Sequence, residues 1–209
     1  LSSSFFIGLN AIILAVTDEA PRFLSVRSAA HELARRLGPA EEGRAWPGLP
    51  FGPLEPQRDR TLEAGLRRWV REQTGIDLGY VEQLYTFGDR NREIGDDGAT
   101  PVLSIAYLAL AREGRPSGSG DATWQSAYDF LPWEDRRSGL LGAIEPIRNQ
   151  LNRWAEDAPT ESAAAQRKDR VDIAFGLEGA QWDPDRVLER YELLYEAQQV
   201  PEAIRDVIE

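Results

Sequence analysis

The chain has 209 residues, enough for one well-buried domain and a smaller appendage. Its 6 Trp, 6 Tyr and 7 Phe exclude wholesale disorder, and a formal net charge of −11 disfavours direct contact with nucleic-acid phosphates or anionic membranes. With no Cys and a single His, disulfides, thiolate metal sites and multi-histidine zinc sites are excluded.

The elements follow in chain order. Residues 5–16 form an apolar run, too short to span a bilayer and lacking a basic flank, so they read as a buried strand. No later segment is a membrane-span candidate, and the expected location is the cytoplasm. A turn cluster at 17–21 leads into an alternating stretch, 22–27, the second strand of a hairpin. His31 reads as a polar surface residue of a short helix. Residues 38–45 form a polar loop, and 46–56, with four prolines and two glycines, a rigid connector. Residues 61–74 are helical: Leu62, Leu66, Trp69 and Val70 make one apolar stripe, and Gly75 stands where a left-handed residue ends a helix.

Strands are expected at 80–87 and 101–112, with a charged loop at 88–100 between them. Residues 114–121 read as a flexible Gly/Ser loop, and 124–133 as a last strand running into a turn at Pro132. Helices follow at 139–157 and 162–175, then a linker at 177–184 and an amphipathic helix at 186–199. On that last helix Val187, Leu188, Tyr191, Leu194 and Tyr195 form a stripe, expected first to pack within the chain and second to make a homodimer contact. A short helix is expected after Pro201. The expected organisation is one α/β domain over residues 1–137, a mixed sheet with helices packed on it, and a helical extension over 138–209.

A helix entered from a Pro/Gly loop suits an anion, because free backbone N–H groups and the helix dipole converge there. Arg58, Arg60, Arg67 and Arg68 cluster at that entry and are available for charge-assisted bonds. They equally suit a solvated helix face balanced by Glu63 and Glu72.

Leu49-Pro50-Phe51-Gly52, followed by the run from Leu62 to Ile76, resembles a Nudix box: Gly52, Arg68, Val70, Glu72, Gly75 and Ile76 match, and the first half is two residues longer than the family spacing. The resemblance covers roughly residues 5–133 and implies a Nudix-type α/β/α sandwich with a mixed sheet. In the family, three glutamates of the second half hold a divalent metal against a pyrophosphate. Here those positions are Trp69, Glu72 and Gln73, and the earlier glutamate falls at Arg58 or Arg60. Trp cannot bind Mg2+, and the Gln carbonyl is a weak neutral ligand. The expectation is therefore no cofactor and no catalytic residue, with Glu72 the one residual metal ligand if hydrolysis and Mg2+ are retained. Glu55 and Glu63 compensate only if the loop brings them near.

Residues 79–92 and 101–109 are similar to ADP-ribose-type Nudix domains, above all to the Nudix-related transcriptional regulators of bacterial NAD metabolism, the NrtR type. That resemblance implies a sensor domain binding an ADP-ribose-like nucleotide, with Arg27, Phe51, Gly52, Glu63, Arg68, Glu72, Phe87, Asp89 and Arg90 as its ligand contacts. It also implies DNA binding through a C-terminal winged helix, yet no basic recognition helix follows residue 139. DNA would be met only through a region not evident in this sequence. The alternative is an active hydrolase of a nucleoside-diphosphate-linked substrate such as ADP-ribose.

Overall fold

The computed structural model describes residues 5–27, 48–88, 93–94, 100–201 and 203. The chain divides into two compact units, Leu1–Phe130 and Leu131–Glu209.

Unit one is built on a mixed sheet. Its strands are β1 (Phe6–Thr17), β2 (Ala20–Val26), β3 (Phe51–Pro53), β4 (Val81–Phe87), β5 (Glu93–Ile94), β6 (Thr100–Leu110) and β7 (Ala122–Ser126). The order is β4-β6-β1-β2-β7, with β3 paired to β1 and β5 to β6. Among the described strands only β1 and β6 run parallel, and the other pairings are antiparallel. The parallel register sets Leu9 beside Ile105, Ala11 beside Tyr107 and Ile13 beside Ala109. Because strand side chains alternate between faces, these six share one face and form its core. The first apolar run is thus a one-sided strand: Val16, of the opposite parity, is 78% exposed.

Helix α1 (Leu62–Thr74) covers that face, and its Leu66 and Val70 are fully buried in the same cluster. Thr61 caps it, accepting a hydrogen bond from the Ala64 N–H at 3.0 Å. Gly75 ends it at φ 72°, a left-handed conformation that favours glycine.

Two readings need correction here. The 114–121 stretch is a clasp on the last turn of α1: the N–H groups of Ser117, Ser119 and Gly120 donate to the carbonyls of Thr74, Glu72 and Gln73 at 2.9, 3.0 and 2.8 Å. A Cβ at Gly118 would lie 2.3 Å from the Gln73 carbonyl carbon, so glycine permits the approach. The last strand stops at Ser126, whose hydroxyl accepts from Tyr128 N–H and turns the chain into a 3-10 turn, Ala127–Asp129.

Unit two comprises α2 (Leu140–Glu156), α3 (Glu161–Phe175) and α4 (Val187–Glu196) around Ile144, Leu151, Val171, Phe175, Leu193 and Leu194. The expected α4 stripe is rotated. Leu193 and Leu194 are buried together with Arg190, while Val187 is 38% and Leu188 67% exposed. Arg190 accounts for the rotation. Its guanidinium, entirely buried, binds Glu134 through Nε and Nη2 at 2.7 and 3.0 Å and donates through Nη1 to the carbonyls of Ala174 and Asp183. It also lies 3.8 Å from the Trp182 ring centroid, so a charge takes a core position on α4; of the expected stripe, Leu194 is buried and Tyr191 packs against the same core, while Val187, Leu188 and Tyr195 are exposed. Most of the segment after Pro201 lies outside the described residues. No described helix is long and apolar enough to cross a membrane.

Candidate functional site

The candidate site lies where β3 meets α1. Ala11 N–H donates to Pro50 O and Leu54 N–H to Ile7 O, so β3 is held on β1 along one edge. The other edge presents the N–H and C=O of Phe51. Gln73 meets both: its Oε1 accepts from Phe51 N at 3.1 Å and its Nε2 donates to Phe51 O at 2.7 Å. The side-chain amide takes the place of a neighbouring strand, as a buried backbone edge requires. Both polar atoms of Gln73 are thereby engaged with the backbone of Phe51.

Trp69 completes the seal. Its indole lies on Gly52 so closely that a Cβ there would stand 2.1 Å from Trp69 Cδ2. Its Nε1 donates to Pro53 O at 2.8 Å. The two positions that differ most from the box pattern are therefore tied to the backbone of residues 51–53.

Toward solvent lies a charged cluster. Asp59 accepts two hydrogen bonds from Arg68, Nε to Oδ1 and Nη2 to Oδ2, both 2.9 Å, and one from Glu55 N–H at 3.0 Å. These contacts, Arg68 foremost and against the opposing effect of burial, hold the Asp59 carboxyl below its ordinary range, while Asp59 in turn raises Arg68. Glycine at position 65 makes room, since a Cβ there would lie 2.8 Å from Asp59 Oδ2. Glu72 lies between two guanidinia, 3.3 Å from Arg58 Nη2 and 3.7 Å from Arg68 Nη1. Glu55 shares the same pair, at 3.8 Å from Arg58 and 3.5 Å from Arg68.

The sequence-derived residues separate accordingly. Arg68 and Glu72 come together, and Glu55 joins them as the loop geometry required. Arg58, not Arg60, is the arginine set against Glu72. Phe51 is buried and stacks on Phe6 at 6.2 Å, so its ring packs within the unit. Gly52 is covered by Trp69. Glu63 lies apart, paired with Arg67, which also donates to the carbonyls of Leu78 and Gly79. Arg27 follows β2, with its N–H on Gly120 O and its guanidinium 3.7 Å from Asp121. Phe87 belongs to β4, three strands from β3, edge-on to Tyr85. Asp89, Arg90 and His31 lie outside the described residues. Asp59 was not singled out from sequence; its only signal is an acidic side chain nine residues before an arginine of the helix.

The donor set does not fit a divalent metal. Mg2+ seeks a near-octahedral shell of oxygens. Trp69 and Gln73 are committed to backbone atoms, and guanidinia already face Glu72. Among the described residues no group of three or more His, Cys, Asp or Glu could hold a metal ion.

The Nudix domain of Shewanella oneidensis NrtR, complexed with ADP ribose, matches with a TM-score of 0.50 at 22% identity, covering 72% of this chain and 90% of that one. Whole Shewanella oneidensis NrtR covers 89% of this chain and 83% of its own, with a TM-score of 0.46 and 19% identity. A MutT/nudix family protein from Enterococcus faecalis covers 60% and 45%, with a TM-score of 0.46 and 20% identity. No protein-family model matches the chain, and no curated protein does. The first likeness shows the fold, which is the Nudix-type α/β fold that the box residues led us to expect.

Proposed function

We propose that unit one is a receptor for an ADP-ribose-like nucleotide that binds its ligand without hydrolysing it, and that it acts as the sensor of a transcriptional regulator. The observation that carries this reading is the use of Trp69 and Gln73 to hold β3, which leaves Glu72 as the one carboxylate of the box triad. A single carboxylate already neutralised by guanidinia lacks the charge to assemble a metal against a pyrophosphate. The NrtR domain that shares the fold was solved with ADP ribose, which makes that nucleotide the first ligand to test. In unit two acidic residues outnumber basic ones, a balance that opposes contact with DNA phosphates.

One observation favours the alternative reading, an active hydrolase: Glu55 is drawn to the same two guanidinia as Glu72 and could serve as a second carboxylate. Incubation with ADP-ribose and Mg2+, followed by chromatography of AMP, separates the two. The receptor reading expects no AMP. Release of AMP that disappears in Glu72→Gln would overturn it in favour of the hydrolase.

A further inference from the structure

The charged cluster contains one guanidinium that is fixed and one that is loosely held. Arg68 is 15% exposed and bonded twice to a carboxylate that is itself 2% exposed. Arg58 is 59% exposed, and its contacts to Glu72 and Glu55 are long, 3.3 and 3.8 Å. Exposed pairs of this kind contribute little, so Arg58 exchanges partners at small cost.

A second observation says where Glu72 goes when Arg58 leaves. Nη1 of Arg68 is buried and makes no hydrogen bond. Such an orphaned donor is costly, and here a carboxylate oxygen, Oε2 of Glu72, is 3.7 Å away. A small movement of Glu72 toward Arg68 both satisfies that donor and frees Arg58. Glu55, 3.5 Å from Arg68, remains neutralised in the same step.

We infer that Arg58 is the resident cation of this site: it meets the diphosphate of the ligand in the role a divalent metal would fill, while Glu72 closes onto Arg68. The inference rests on the nucleotide-binding reading above and adds the chemistry of the counter-charge. Guanidinium suits the task, since its forked donors bind phosphate oxygens in pairs and it never loses its charge. One consequence distinguishes it from any metal-dependent site. Free Mg2+ binds the phosphates of the ligand in solution and lowers the charge that Arg58 can meet, so Mg2+ weakens binding where a metal site would be strengthened.

Calorimetric titration with ADP-ribose, in EDTA and in Mg2+, tests this on the full chain, on Arg58→Gln and on Arg71→Gln. Arg71 is a control on α1, its guanidinium turned to Asp77. The expected result is binding in EDTA at least as tight as in Mg2+, a loss of about tenfold or more in Arg58→Gln, and no change in Arg71→Gln. Melting curves of both variants confirm folding. Tightening by Mg2+ of about tenfold or more, or wild-type affinity in Arg58→Gln, overturns the inference and leaves the receptor reading standing. No binding by the unaltered chain in either buffer overturns the receptor reading itself.

Discussion

Replacing Gln73 by glutamate tests whether the box helix holds β3 as the geometry indicates. The substitution is nearly isosteric and keeps the oxygen that accepts from Phe51 N–H. It removes the Nε2 donor 2.7 Å from Phe51 O and sets a carboxylate oxygen against that carbonyl, at a residue only 9% exposed. Leaving a buried carbonyl without its donor costs about 1–3 kcal/mol. Burial of the charge raises the pKa of the introduced carboxyl, because the protonated form alone can donate to Phe51 O. A raised folded-state pKa means the folded protein holds its proton more tightly. The carboxyl is therefore tolerated below its unfolded value, about 4.3, and the penalty grows as pH rises through the folded value. At pH 8 a deficit of about 2 kcal/mol lowers the melting temperature of a unit this size by about 6–8 °C, with a smaller deficit at pH 5. Paired thermal melts by circular dichroism at the two pH values read this directly. An unchanged melting temperature at pH 8, or a deficit that deepens at pH 5, would refute the strand-mimicking role of Gln73.

Two further predictions concern the buried charges. Asp59, held below its ordinary pKa by Arg68, contributes stability that is fully present above its unfolded value, about 3.9, and is lost as pH falls through the lower folded value. Asp59→Asn should therefore flatten the acid limb of the stability curve of unit one and cost about 3 kcal/mol at neutral pH, measured by urea titration across pH 3–7; an unaltered acid limb would assign the acid sensitivity to other groups. In unit two, Glu134→Gln leaves the buried Arg190 without its counter-charge and should cost about 3–5 kcal/mol, followed by tryptophan fluorescence in urea because the guanidinium lies on Trp182; an unshifted midpoint would show that the carbonyls of Ala174 and Asp183 suffice.

Sequence made α1 legible because two independent signals coincide there, the Leu66/Val70 stripe and the left-handed Gly75; the Thr61 cap was added by the structure. The box spacing then carried the fold. What sequence hid is of one physical kind, the long-range partner that changes the meaning of a residue. Residues 114–121 have the composition of a free loop, and only the approach of Gly118 to Gln73 turns them into a clasp. Arg190 breaks the apolar pattern of α4, and its burial depends on Glu134, 56 positions earlier. Asp59 is an unremarked acid between the proline-rich connector and α1 until Arg68 reaches it. Periodicity reports which face is apolar; it is silent on a charge whose neutralising partner is remote in sequence.

Trp69 and Gln73, where the chain departs from the box pattern it resembles, have structural work of their own. Trp69 donates to Pro53, Gln73 bonds both polar atoms of Phe51, and Ser119 donates from its N–H and its hydroxyl to the Glu72 carbonyl. Protein hydrogen bonds alone therefore fix β3, the last turn of α1 and residues 117–120 as one frame. A site that draws its geometry from a metal must be ordered by that metal, and its affinity carries the cost of ordering. In a frame closed by side-chain and backbone bonds, that cost is met on folding, so ligand affinity reports contacts and not the assembly of the site. The one part of the cluster left weakly held is the Arg58 guanidinium, on 3.3 and 3.8 Å contacts at the solvent edge. On the proposed receptor reading, response to a ligand falls to Arg58 and to the Glu72 side chain it releases, on a rigid support; that arrangement suits recognition without turnover, since hydrolysis needs a positioned water and charge neutralisation, and a guanidinium supplies only the second.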